Sequence, residues 1–81
     1  MTRRFNQQII VGRLAAVDHD KREGMLRLAD GSGQEWPVYF TRGVTNEQLQ
    51  HACDCKLIKA HATWSTERRE FFIFCVKPLD C

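Results

Sequence analysis

No stretch of this 81-residue chain approaches the roughly 20 consecutive apolar residues that a bilayer-crossing helix needs. Its first residues, Met1-Thr2-Arg3-Arg4-Phe5-Asn6-Gln7-Gln8, lack the apolar core and small-residue cleavage site of an export signal. A cytoplasmic setting is therefore expected, with four reduced cysteines and no membrane partner. Repeats, low-complexity tracts and linkers are also missing, which leaves one domain over 1–81, with 1–6 as a flexible N-terminal arm. There is no phosphate-binding or dinucleotide-binding glycine pattern, since Asp30-Gly31-Ser32-Gly33 sits where a hairpin turn belongs. His19, His51 and His61 fall in a loop, a helix and a strand, without a nucleophile or orienting acid beside any of them. No enzyme and no cofactor is expected. Charge of one sign is scarce too: a net +2 permits a nucleic-acid partner without arguing for one.

What is present is a series of short β-type segments. Ile9 to Val17 is β-branched and changes apolar phase between Leu14 and Val17; with Gly12 inside it, a bulge that bends the strand is expected. Met25 to Ala29 puts Leu26 and Leu28 on an inner face. Gln34 to Thr41 sets Trp36, Val38 and Phe40 inward and Glu35, Pro37 and Tyr39 outward, with the Pro37 nitrogen toward an open edge or a bulge. Thr45-Asn46-Glu47-Gln48 is a capping box, flanked by Val44 and Leu49 at staple positions, and predicts a two-turn helix over Asn46 to Cys53. Lys56 to Trp64 alternates, with Ile58, Ala60, Ala62 and Trp64 on one side and Leu57, Lys59, His61 and Thr63 on the other. Ser65 to Arg68 then turns the chain into a last strand, Arg69 to Val76, which Pro78 should end.

Three strands, a helix and two strands, with a bulged glycine-bearing first strand, resemble the OB-fold, a five-stranded partly open Greek-key barrel. The fold expected is mainly β: a five-stranded antiparallel Greek-key barrel with one short α-helix between strands 3 and 4. An SH3-like barrel ranks second, because it would not place a capped helix after its third strand.

The resemblance implies a non-enzymatic module that binds single-stranded nucleic acid on the outer face of strands 2 and 3 and on the loops joining strands 1–2 and 4–5. Those places hold Lys21, Arg22, Arg27, Tyr39, Trp64, Arg68 and Arg69, a mixture of phosphate-pairing cations and base-stacking rings. Acids interleave with them, and mixed charge in loops is most often plain solvated surface. The alternative function is protein interaction or self-association. The last strand is apolar at every position from Phe71 to Val76, and with Phe71 and Ile73 inward, Phe72 and Phe74 form an outward aromatic pair. The simplest cover for that pair is Phe5 or the residues after Pro78; a homodimer partner or a stacked base is the sharper reading.

A symmetric hairpin about Ser65–Arg68 sets Cys81 opposite the segment holding His51, Cys53 and Cys55. Those four residues are a legitimate zinc set by ligand type, but the one-residue spacing of Cys53 and Cys55 is poor for zinc. Free thiols are the favoured reading and no metal is expected.

Overall fold

The computed structural model describes residues 7–81. Its elements run β1 (Gln7–Asp18), β2 (Glu23–Leu28), β3 (Glu35–Phe40), α1 (Asn46–Cys53), β4 (Leu57–Ser65) and β5 (Glu70–Asp80). The domain is mainly β, and the one helix among the described residues lies between the third and fourth strands in the chain, where the capping box places it. The strands close into a barrel-like ring in the order β1-β2-β3-β5-β4, with β4 hydrogen-bonded back to β1.

The sheet is mixed, which corrects the antiparallel expectation. Four contacts are antiparallel, and β3 runs parallel to β5 through Val38↔Phe71, Tyr39↔Phe72 and Phe40↔Ile73. Parity demands this, because direction cannot alternate all the way around a ring of five. One parallel contact must remain, and it falls where the chain returns after α1 and β4.

β1 serves two neighbours in turn. Gln7 to Gly12 pairs with β4 and Gly12 to Asp18 with β2. At the changeover the strands approach so closely that a Cβ on Gly12 would lie 2.2 Å from the Arg27 carbonyl oxygen, so only glycine fits. The register with β2 skips Ala15, and this bulge is the phase change read from the sequence. Gln7, Thr63, Phe72, Tyr39, Glu23 and Asp18 form one row of paired residues. The row leaves β1 at Gln7 and meets it again at Asp18, a stagger that tilts the strands around the ring axis.

The inward positions are those alternation predicts. Leu26, Val38, Phe40, Ile58, Ala60, Ala62 and Ile73 are all at most 1% exposed. Trp36, Trp64 and Phe71 meet edge-on at 4.9–6.0 Å between centroids where β4 ends and β5 begins. Away from them, α1 presses Leu49 and Ala52 into the same core. The capping box fixes that entry: the Gln48 amide donates to Thr45 Oγ1 (3.1 Å), and the Thr45 amide donates to Gln48 Oε1 (3.0 Å). Val44, one residue before the cap, is buried with Leu49 as the staple requires.

β5 explains its own unbroken apolar run. Phe71 and Ile73 face the core, but the register with β4 passes from Ala62↔Ile73 to His61↔Cys75, so Phe74 is an extra residue. Beyond this bulge the inward phase moves to Val76, and two alternating halves have been joined out of step. Pro78 does not end the strand, contrary to expectation. It lies beside a second register shift at Leu57/Ile58, on a stretch past the three residues that pair with β3. A missing N–H is tolerated there. Pro37 obeys the same rule: the Leu28 and Phe40 amide bonds to Gln34 and Arg22 put even-numbered β3 residues in the ladder with β2, and pairing with β5 starts only at Val38.

Candidate nucleic-acid interface

The parallel ladder sets Tyr39 and Phe72 side by side on the outside of the ring, because Phe40, Phe71 and Ile73 point in. Their rings lie 5.6 Å apart at 57°. The β4–β5 turn then brings a cation over both. The Arg68 amide donates to Ser65 Oγ (3.3 Å), and Arg69 takes a left-handed φ of 54°. Arg68 Cζ sits 5.7 Å from the Tyr39 centroid and 5.9 Å from that of Phe72. These are cation–π distances, and they show that a planar charged group already rests on this pair. Glu70 Oε1 stands 3.6 Å from Arg68 Nε on a side chain that is only 12% exposed.

The same face continues along β4 and β5. Because Ile58, Ala60 and Ala62 point in, Lys59, His61 and Thr63 point out. After the Phe74 bulge, Cys75 and Lys77 join them, with His61 opposite Cys75 and Lys59 directly opposite Lys77. Like charges facing each other across strands are unfavourable for the isolated fold. Phe74 (40% exposed) and, across His61 on β1, Ile9 (59%) border this basic strip.

Of the residues expected on the nucleic-acid face, Tyr39 and Arg68 are brought together and the others are not. Arg22 is engaged by the protein itself: Nε donates to the Phe40 carbonyl (2.9 Å), Nη1 to Asn46 Oδ1 (2.8 Å), and Nη2 to the carbonyls of Thr41 (2.9 Å) and Val44. It latches the β1–β2 turn to the start of α1. Arg27 pairs with Glu35 at 2.7 Å on the outer face of β2 and β3. Trp64 packs between Trp36 and Phe71 rather than in a loop. Lys21 and Arg69 are exposed in their turns. Between β1, β2 and β3 an open groove of about 370 Å³ is lined by Met25 and Pro37 together with Asp18, Glu23 and Glu70. Three carboxylates make it a poor path for phosphates.

Phe72 belongs with Tyr39 instead of forming an outward pair with Phe74. Of the covers anticipated for these rings, Phe5 lies outside the described residues and Leu79 is itself 53% exposed. Lys59 and Lys77 were not anticipated at all. The alternation of β4 marks Lys59 as outward, but Lys77 joins it only because the Phe74 bulge shifts the phase.

Two of the four cysteines depart from the free-thiol expectation, while Cys53 and Cys75 keep to it. Cys55 and Cys81 are joined by a disulfide, with His51 Nε2 3.8 Å from Cys81 Sγ. Cys53 stays a free thiol apart from them, and partial burial, reinforced by the neighbouring Asp54 charge, raises its pKa above the ordinary cysteine value. Among the described residues no helix is long and apolar enough to cross a membrane. In comparisons with known proteins, no family model, no curated protein and no solved structure matches the chain.

Proposed function

We propose that this chain is a non-enzymatic module of the OB type that binds single-stranded nucleic acid on the face built by Tyr39, Phe72, Lys59 and Lys77. The observation that carries the reading is the outward Tyr39–Phe72 pair with Arg68 lying over both rings. A base replacing the guanidinium would stack on those rings, for about 1–3 kcal/mol per base, and free Arg68 for the adjoining phosphate. Lys59 and Lys77 then receive the next phosphates, which relieves the repulsion between them. The site lies on β3, β5 and β4 rather than on β2 and β3, where Arg27 is already neutralised and the groove is acidic.

The test is fluorescence anisotropy with single-stranded DNA and RNA of about 15 nucleotides, a length within the span of one such domain. Binding at low salt should weaken steadily as salt rises, with a log–log slope near −0.7 for each phosphate contact. Tyr39→Ala/Phe72→Ala should weaken it by about tenfold or more while the thermal midpoint stays within a few degrees. No binding at low salt, or binding indifferent to these rings, sinks the proposal.

A second reading is favoured by the exposure of Ile9, Phe74 and Leu79. Three large apolar side chains on β1 and β5 suit a contact between copies of the chain. Light scattering that finds wild type and Phe74→Ser both monomeric at high micromolar concentration removes it.

A further inference from the structure

Three side chains with soft-metal affinity meet where α1 ends and β5 finishes. His51 is in the last turn of the helix, Cys55 follows its C-cap Asp54, and Cys81 comes directly after β5. One ligand atom from each lies within 4.8 Å of the others. Around a tetrahedral zinc ion, with Zn–S near 2.3 Å and Zn–N near 2.0–2.1 Å, a sulfur and a nitrogen stand about 3.6 Å apart. His51 Nε2 and Cys81 Sγ are 3.8 Å apart, so one ion can bridge them with a shift of a few tenths of an ångström. Cys55 already holds its sulfur next to both, through its bond to Cys81.

We propose that reduction of the Cys55–Cys81 disulfide converts this corner into a binding site for a thiophilic divalent cation of the zinc class, ligated by His51 Nε2, Cys55 Sγ and Cys81 Sγ. The fourth position is left for water. The site thus has two cross-linked states, a disulfide or a metal dithiolate, and either one ties the end of α1 to the end of β5 across a sequence separation of 26. The reduced, metal-free chain has neither tie and is the least stable form.

The interconversion balances with a dithiol as reductant. Its thiolate attacks Cys81, whose residue is exposed, whereas Cys55 is 2% exposed. The S–S bond breaks and Cys55 leaves as thiolate, which takes up a proton. The second thiol of the reductant then displaces Cys81, closing the reductant into its own disulfide. Two electrons and two protons reach the protein, which ends with two thiols. Metal binding releases two protons as both sulfurs become thiolates, while the His51 proton sits on Nδ1. Cys55 Sγ lies 3.2 Å from the His51 carbonyl oxygen, which gives its S–H an acceptor before the metal arrives.

The experiment is an anaerobic cobalt(II) titration of full-length protein reduced with a phosphine, with four free thiols verified by thiol titration. Expected are thiolate-to-cobalt charge-transfer absorption and tetrahedral ligand-field bands that saturate at one equivalent and are displaced by zinc. Zinc should raise the thermal midpoint of the reduced protein and leave that of the disulfide form unchanged. His51→Ala and Cys81→Ser should each weaken zinc binding at least tenfold, and Cys53→Ser should leave it within twofold. The proposal is overturned if fully reduced wild type shows no charge-transfer band, if the disulfide form binds as tightly, or if Cys53→Ser abolishes binding.

Discussion

Two turns of this chain carry adjacent cations, Lys21-Arg22 between β1 and β2 and Arg68-Arg69 between β4 and β5. They are alike in form as well. The last residue of each is an arginine with a left-handed backbone, φ 56° at Arg22 and 54° at Arg69. What surrounds them differs. The first turn faces the β3–α1 connection, whose carbonyls at Phe40, Thr41 and Val44 accept from Arg22 and take its guanidinium out of play. The second faces two aromatic rings, which hold the Arg68 guanidinium over their faces but leave it able to exchange with another planar group. Two cations indistinguishable by residue type thus become a structural latch and a candidate ligand contact, according to whether carbonyls or π faces lie within reach.

The largest test of this contrast is Arg22→Ala. It removes charge-assisted bonds to three carbonyls and to Asn46, and should cost about 2–3 kcal/mol of stability by urea unfolding. Oligonucleotide affinity, measured where the variant remains folded, should stay within about twofold. A loss of affinity without a loss of stability would reverse the roles assigned here. Arg68→Ala should do the opposite, weakening oligonucleotide binding about tenfold with no more than about 1 kcal/mol change in stability. Arg27→Ala, which removes a cation already paired with Glu35, should leave affinity within about twofold in the same titration. Next in size is Arg69→Gly, which relieves a left-handed conformation on a residue with no latch and should stabilise by about 0.5–1 kcal/mol. The same change at Arg22 should destabilise, because there the side chain outweighs the backbone. Smallest is Glu70→Gln, which removes the carboxylate beside Arg68 and should tighten oligonucleotide binding by about two- to threefold. An unchanged affinity would mean that the Glu70 charge is not felt at the platform.

Much of the ring was legible before its coordinates. The Thr45–Gln48 box marked the helix to the residue, because both of its hydrogen bonds are made within four consecutive residues. Alternation in β3 sorted Val38 and Phe40 to the inside, alternation in β4 gathered Ile58, Ala60 and Ala62 on one face, and Gly12 with its neighbours announced the bend in β1. The parallel β3–β5 contact was not legible: it follows from closure of the ring, and alternation within each strand says nothing of its neighbour's direction.

The site was less legible. Tyr39 and Arg68 were identifiable as candidates, but Phe72 becomes the partner of Tyr39 only through a pairing between strands about 30 residues apart in the chain. Lys77 faces Lys59 only because Phe74 is looped out, and an apolar run of six carries no mark of where its phase breaks. Cys81 reaches Cys55 for a similar reason: the hairpin closes at Ser65↔Glu70 and its register then slips twice, so a symmetric fold-back about Ser65–Arg68 names the neighbourhood without singling out Cys55. The sequence by itself determined which segments extend or coil and which of their faces are apolar, since those depend on neighbours within a few positions. Only the tertiary structure decided which carbonyls Arg22 would meet, which rings would lie under Arg68 and which thiols would touch, because each depends on register accumulated across several strands.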